Sequence, residues 1–488
     1  PPVLRSAVTS FDAASASKMR GVVKVIQIRD GVVVVANSWW RAKQALAEVK
    51  ISYSSTDHDK LSTADIRKQF EQALQDQSGF GFTNKGDAKD ALKDAAKVIE
   101  STYWAPYLAH AAMEPINCVA QVQGKKVEIW ASTQSPSLAK WKAAQVADVD
   151  MEHVTLHVPL LGGGFGRRLE IDMVEQAVAI AKELDGKPVK LVWTREEDTQ
   201  HDMYRPAALS HFQAAIGKDG QVSAWSNKLV AQSIGYASVK RLMPMAAADT
   251  PDKNQIEGAF DIPYGFEHIS VKQVRPQVPV PVGSWRSVGH SYNAFFTESF
   301  IDELAYAVGQ DPYAYRKSLL NEHPRHRIVL QTAAEKAGWG KPLPPGVARG
   351  IALHESFGSI CAQVAEVSVF EGAVKVHRVV CAIDCGIVVN PDTVEAQMQS
   401  SIVFGLSAAL FGEITIADGR VEQSSFPSYD VVHMSHMPKV ETHIVRNTHA
   451  PGGVGEPGTP PIAPAVANAI YALTKQRIKS LPIRLNHA

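Results

Sequence analysis

Cysteine is scarce in this chain: its 488 residues hold four, Cys118, Cys361, Cys381 and Cys385. So few, so widely spaced, exclude a disulfide framework and cannot ligate a pair of iron–sulfur clusters. Cys381 and Cys385 lie near enough in sequence to pair; buried free thiols are the other reading. No sign of charge prevails, since Lys plus Arg and Asp plus Glu are each 50. That balance argues against a nucleic-acid footprint and against a membrane-seeking charge block. No apolar run reaches bilayer-spanning length, and no basic-then-apolar leader opens the sequence. It opens instead on Pro1-Pro2-Val3-Leu4, which reads as the middle of something. The expectation is a processed or split chain whose upstream portion lies elsewhere. The length exceeds one ordinary core, so roughly two to four domains are expected.

What is present is an alternation of short β patterns with amphipathic helices, which predicts an α+β fold of mixed layers. Residues 22–28 and 32–35 flank Arg29-Asp30-Gly31, a hairpin signal, and a short helix is expected over 39–49. Residues 1–53 read as a partial domain, and 54–100, with helical patches at 66–74 and 88–99, as a surface connection. A first large domain covers 101–322, a proline-marked connector 323–347, and a second large domain 348–488. In the first, a strand over 154–159 precedes a helix with Val174, Ala177, Val178, Ala181 and Leu184 on one face. Thr194 to Glu197 has capping-box form. In the second, strands are expected at 365–370 and 375–382, and a long apolar helix at 394–411. A buried helix over 462–474 carries Pro464 near its first turn.

Two glycine-rich stretches invite chemistry. Gly162-Gly163-Gly164-Phe165-Gly166-Arg167-Arg168 lies between a strand and a helix, where backbone N–H groups and a helix N-terminus bind phosphate. It is not a dinucleotide fingerprint, because Arg167 stands where a glycine is needed; nor is it a P-loop, because no G-K-[ST] follows. What remains is an anion cradle with two arginines beside it, or else a tight turn with solvated arginines. The second stretch is Gly452-Gly453-Val454-Gly455-Glu456-Pro457-Gly458. A lone acid between a glycine loop and a buried helix can be held from water and have its pKa raised, as a general base requires. A solvated turn is the alternative. Gly289-His290-Ser291-Tyr292-Asn293 lacks the last glycine of a nucleophile elbow, and His354-Glu355 lacks the second histidine of a zinc helix. Gln397 and Gln399 sit on the apolar 394–411 pattern, and a buried amide there points at a ligand or a loop backbone.

These segments join Ala109-His110-Ala111-Ala112-Met113-Glu114-Pro115, Ser132-Thr133-Gln134, Trp285-Arg286-Ser287-Val288-Gly289-His290-Ser291 and the run from Asn390-Pro391 to Gln397. As an ordered set they resemble the molybdenum-binding subunit of the xanthine oxidase / aldehyde oxidase family, in its isoquinoline 1-oxidoreductase β-subunit-like branch. The resemblance implies two large molybdenum-cofactor-binding domains, 101–322 and 348–488, preceded by a partial α/β hammerhead-like domain at 1–53. It implies a molybdopterin cytosine dinucleotide whose molybdenum carries oxo and sulfido groups and has no protein ligand. It places Gln134 near the metal, and Gly163, Gly164, Phe165, Gly166 and Arg167 around the metal and pterin. Gln397, Gly453, Val454 and Gly455 fall against the cofactor, and Arg286 on substrate or transition-state charge. Glu456 falls on the catalytic base, which takes a proton as water-derived oxygen attacks an electron-poor carbon.

The implied activity is hydroxylation of an aldehyde or N-heteroaromatic carbon. Arg168-Leu169 follow the cradle where purine-oxidising relatives carry a glutamate, which argues against a purine. Phe404 replaces a glutamine common in other branches, and Ser400-Ser401 stand where glycines are usual. With no cluster cysteines in this chain, the resemblance implies a small 2Fe–2S partner subunit and a cytochrome c acceptor. It also implies a separate chain or precursor supplying the upstream portion, and a periplasmic location with the cytoplasm as alternative. A non-catalytic scaffold subunit of such a complex is the competing class. A nicotinamide dehydrogenase lacks its fingerprint.

Overall fold

Strand-forming runs pair first with their sequence neighbours and then with distant partners, giving three main sheets in the computed structural model, which describes residues 1–75 and 79–485. A four-stranded sheet orders Val189–Val192, Asn117–Gln123, Lys126–Trp130 and Val154–His157. A five-stranded sheet orders Phe80–Lys85, His268–Val274, Val222–Ala231, Ala208–Ile216 and Lys97–Ala105. The third orders Val347–Ser356, Ser359–Phe370, Ala373–Asp384 and Lys439–Ile444. Each combines antiparallel pairing with a parallel pair, so the α+β expectation holds. The Val22–Ile28 and Gly31–Ala36 hairpin forms across Asp30, and Val8–Asp12 pairs with Lys50–Tyr53. Both remain two-stranded.

Two stretches read as connections carry structure instead. Phe80–Lys85 joins the five-stranded sheet as an edge strand against His268–Val274, and residues 97–99, expected to end a helix, begin the Lys97–Ala105 strand. Ahead of them the Thr63–Gln75 helix buries Ile66 and Phe70, the latter 5.4 Å from the Trp104 ring. Within 323–347, Pro324–Ala337 is a helix. His323-Pro324 reads as a break, yet proline at the first helical position costs no hydrogen bond, and Val329, Leu330, Ala333, Ala334 and Ala337 turn into the core. The cradle is not followed directly by a helix. A single tight turn, Arg167–Leu169, intervenes before the Asp172–Ala181 helix, so that helix's N-terminus does not cap the cradle.

The largest core cluster runs without interruption from the five-stranded sheet to the Ser359–Phe370 sheet and the Ile462–Thr474 helix. The His290–Ala307 helix crosses it buried on nearly every face, so its polar side chains need internal partners. Asn293 donates to the carbonyls of Gln255 and Glu257 at 3.2 and 2.9 Å. Glu298 accepts from the Tyr264 hydroxyl at 2.6 Å, from Leu353 N at 2.8 Å and from Arg316 Nε at 2.8 Å. These bonds fix the helix whose first residue, His290, closes the segment that builds the site. Arg316→Met would leave the Glu298 carboxylate buried without its cation, a cost of about 3–5 kcal/mol. Urea unfolding should show that loss, and a change below about 1 kcal/mol would contradict the assignment of Glu298 and Arg316 as the pair that anchors the helix.

Candidate active site

The segment from Ser284 to Gly289 leaves extended backbone, turns tightly and enters the His290–Ala307 helix. Its Ser287 and Val288 adopt left-handed backbone, φ 74° and 46°, which residues other than glycine avoid. Val288 N donates to Trp285 O at 2.6 Å, closing the turn. Arg286 is 6% exposed and spends its guanidinium on protein oxygens. Nε donates to Gly455 O at 2.8 Å, Nη1 to Ser400 Oγ at 3.0 Å and Nη2 to Gln397 Oε1 at 3.0 Å, with a further bond from Nη2 to Gly455 O. Burial lowers its pKa to about 10, with Glu456 pulling the other way, so it remains a cation at neutral pH. The next residue reaches the acid. Ser287 N donates to Glu456 Oε1 at 3.0 Å and Ser287 Oγ to Glu456 O at 2.9 Å.

The Glu456 loop is held on its other sides by the third sheet. Gly453 N donates to Phe357 O at 2.8 Å, Ser359 Oγ to Gly453 O at 2.7 Å, and Gln363 Nε2 to Gly458 O at 2.7 Å. Glu456 itself is half-buried. Among the described residues no hydrogen bond engages its Oε2, nor the amides of Val454, Gly455 and Glu456. The cradle is built alike: Gly166 N donates to Gln134 Oε1 at 3.1 Å and Gly162 N to Glu114 Oε2 at 2.9 Å, while the amides of Gly163, Gly164 and Phe165 bond to no described residue. A Cβ on Gly166, whose φ is 104°, would stand 1.8 Å from Ser284 O, so only glycine lets cradle and turn meet. Phe165 stacks on Phe404 at 4.5 Å, Phe404 on Trp285 at 4.6 Å, and the Arg286 guanidinium lies 5.9 Å from the Phe165 ring. These contacts bring both loops to Arg286.

The expected site residues Gln134, Gly163, Gly164, Phe165, Gly166, Arg286, Gln397, Gly453, Val454, Gly455 and Glu456 thus belong to one connected set. Arg167 does not. Its guanidinium, 2% exposed, pairs with Asp172 at 2.7 Å and Asp202 at 3.1 Å and is unavailable to an anion in the cradle. Arg168 likewise pairs with Glu114 at 2.9 Å and donates to Gly163 O at 3.1 Å, bracing the loop from beneath. Behind them Asp202 also holds His110, whose other nitrogen meets Ser284 O at 2.8 Å. Burial, then the Asp202 charge, push Asp198 up to about 6. Arg286 is turned to the loop and the Pro391–Leu410 helix, a clamp more than a substrate-facing charge, and Gln397 accepts from it.

Sequence reasoning passed over Ser287, Ser359, Gln363 and Ser400 as site residues. Gln363 left a signal, a lone amide between Ala362 and Val364 in an apolar strand, and Ser400 another, as a departure from the usual glycine; Ser287 lay within a quoted stretch with no role attached, and Ser359 left none.

A molybdenum pterin fits these residues. Two strips of unengaged backbone N–H, one including buried Gly164, suit a ligand rich in anionic and carbonyl oxygens. Among the described residues the cluster able to ligate a metal directly is Asp150, Glu152 and His153, which includes no residue of either loop. Neither loop offers, among the described residues, a group of three ligating side chains, which is compatible with the resemblance's implication that the metal is held by an organic ligand. Gly166→Ala should force Ser284 away from the cradle; the expected result is a lower thermal midpoint together with molybdenum content well below stoichiometric, and normal loading would contradict the packing described.

The molybdopterin cofactor-binding domain family matches residues 71–320, and a second family of the same description matches 344–438. The chain is 31% identical to isoquinoline 1-oxidoreductase subunit beta of Brevundimonas diminuta, over 99% of this chain and 63% of that protein. It is 28% identical to the membrane-bound aldehyde dehydrogenase (pyrroloquinoline-quinone) of Gluconacetobacter polyoxogenes, over 98% of this chain and 66% of that one. The chain therefore spans less than two thirds of the length of these curated relatives. Its fold matches quinoline 2-oxidoreductase of Pseudomonas putida 86 with a TM-score of 0.77 at 14% identity, over 99% of this chain and 92% of that one. On the match that spans half its length, this chain belongs to the molybdopterin cofactor-binding domain family.

Proposed function

We propose that the chain is the catalytic, molybdenum-binding subunit of an oxidoreductase that hydroxylates an aldehyde or N-heteroaromatic carbon with oxygen from water. The observation that carries this is Glu456, fixed through Oε1 by Ser287 and open at Oε2, at the end of one strip of free amides in a loop that Arg286 ties to the same turn as the cradle. When bound, the molybdenum pterin supplies oxygen activation and a sink for two electrons. The protein's share is positional and electrostatic. Gly163 to Phe165 and Val454 to Glu456 offer N–H donors to the cofactor, and Phe165, Phe404 and Trp285 form an apolar wall that limits water. Glu456 Oε2 takes a proton as the carbon–oxygen bond forms. Arg286, an immobile cation in a poorly hydrated site, favours the negative charge that develops beside it. A scaffold subunit would have no physical need for a carboxylate held this way.

Electrons are assigned to a 2Fe–2S partner subunit and onward to a cytochrome c. In support, all four cysteines are buried and free, with Cys361 and Cys381 3.4 Å apart, and none is arranged to hold a cluster. A partner segment, on another chain or in a further part of this one, is assigned to a cleft of about 1680 Å³; in support, the chain spans 63% of the length of its isoquinoline-oxidising relative. That cleft lies between the small unit of residues 1–53 and the first large domain, lined by Val32, Val34, Leu46, Val189, Leu191, Tyr236 and Val280 among others. The two-stranded sheets beside it have strand edges open to further pairing. The periplasm is the proposed location, supported by the resemblance and by a relative named as membrane-bound.

Metal analysis of the purified complex should find molybdenum, and acid treatment should release cytidine monophosphate; absence of molybdenum would sink the proposal. Glu456→Gln should keep the cofactor while turnover falls ~10²–10⁴-fold, the usual worth of a general base, and near-normal turnover would refute that role. Affinity purification from fractionated source cells should recover the chain in the periplasm or membrane with a smaller protein carrying a 2Fe–2S electron paramagnetic resonance signal. Recovery of an active chain alone from the cytoplasm would overturn the partner and location assignments.

A further inference from the structure

We infer that Ser287 is a positioning residue for the catalytic base, aligning the Glu456 carboxylate so that Oε2 faces the reacting atoms; this rests on the base role proposed for Glu456. A glutamate on a glycine-rich loop has freedom in its side-chain torsions and in the backbone beneath it. Left unrestrained, the carboxylate would spend much of its time misaligned, and misalignment is what slows a positioned proton transfer. Ser287 restrains both sources of freedom from one residue. Its N–H bonds the carboxylate at 3.0 Å and its hydroxyl bonds the backbone carbonyl of the same glutamate at 2.9 Å.

The rest of the segment is shaped to permit this. Ser287 is wholly buried, so its two donors are turned from solvent toward the half-buried Glu456. Its φ of 74°, and the 46° of the β-branched Val288 after it, are conformations that persist only where the surroundings impose them. Here Trp285 Nε1 donates to Ala109 O at 3.1 Å before the turn, and Ser291 Oγ donates to Val288 O at 2.7 Å after it. Arg286 does not perform this task. Its bonds go to the loop carbonyl of Gly455 and to the Pro391–Leu410 helix, not to the carboxylate. The loop is therefore held by Arg286, and the acid by Ser287.

The test compares Ser287→Ala, Ser287→Gly and Glu456→Gln, singly and as double variants, in the purified complex. Ser287→Ala should retain molybdenum and its thermal midpoint while kcat falls ~10–10²-fold with KM little changed. Ser287→Gly, which relieves the left-handed strain and keeps the N–H, should lose kcat similarly with an equal or higher thermal midpoint. Neither should lower turnover further when Glu456 is already glutamine. Difference infrared spectra of parent against Glu456→Gln isolate the Glu456 carboxylate band, and in the Ser287→Ala background that band should shift and broaden. Full kcat with an unmoved band, or an equal loss of turnover with and without Glu456, would overturn the positioning role while leaving the base in place. Near-normal turnover in Glu456→Gln alone would remove the base and this inference together.

Discussion

The Arg286 guanidinium bonds to Gly455 O at 2.8 Å and to Gln397 at 3.0 Å, while two residues earlier the Ser284 carbonyl lies where a side chain on Gly166 would have to stand. One short run of backbone thereby registers two glycine-rich loops that are distant in sequence. Its own position comes from the His290–Ala307 helix, which is locked by Glu298, Arg316 and Asn293 inside a core shared by both large halves of the chain. A shift of that helix would be felt first at Ser287 and then at Glu456. The interior is close-packed, so such a shift cannot be absorbed by slack.

Charge is used accordingly. Arg167, Arg168 and Arg316 are buried and each faces a carboxylate, because an uncompensated buried cation costs far more than a paired one returns. Arginines that the sequence presents as anion readers are consumed in bracing the cradle from behind. Binding potential in the cradle resides in backbone N–H groups, which carry no net charge and impose no desolvation penalty of that size. The same economy explains Arg286, whose donors are nearly all satisfied by protein oxygens. It acts on the site through a fixed field and through the loop it fastens.

Much of this was legible in the chain itself. Periodicity located the Ile462–Thr474 and Pro391–Leu410 helices, Asp30-Gly31 the first hairpin, and Thr194 with Glu197 a helix cap. The glycine spacing marked both loops, and Glu456 was the acid within one of them. Other elements were obscured by local chemistry. Phe80–Lys85 is short and polar, and becomes a strand only because His268–Val274 offers it an edge. Pro324 has the appearance of a break, although at a helix start it is neutral. Ser287 stands within the Trp285–Ser291 stretch, but no local pattern marks it as a partner of Glu456.

The sequence by itself determined most of the strongly patterned helices and hairpins, where backbone has to be glycine, and which acid stands in a loop able to use it, because these depend on local propensity, periodicity and sterics. The tertiary structure alone decided which arginine holds the loop and which are spent on buried aspartates. It also decided that Ser287, rather than any residue near Glu456 in sequence, grips the carboxylate. Those outcomes depend on hydrogen-bond partners brought together from positions 169 residues apart, and no local pattern encodes such a pairing.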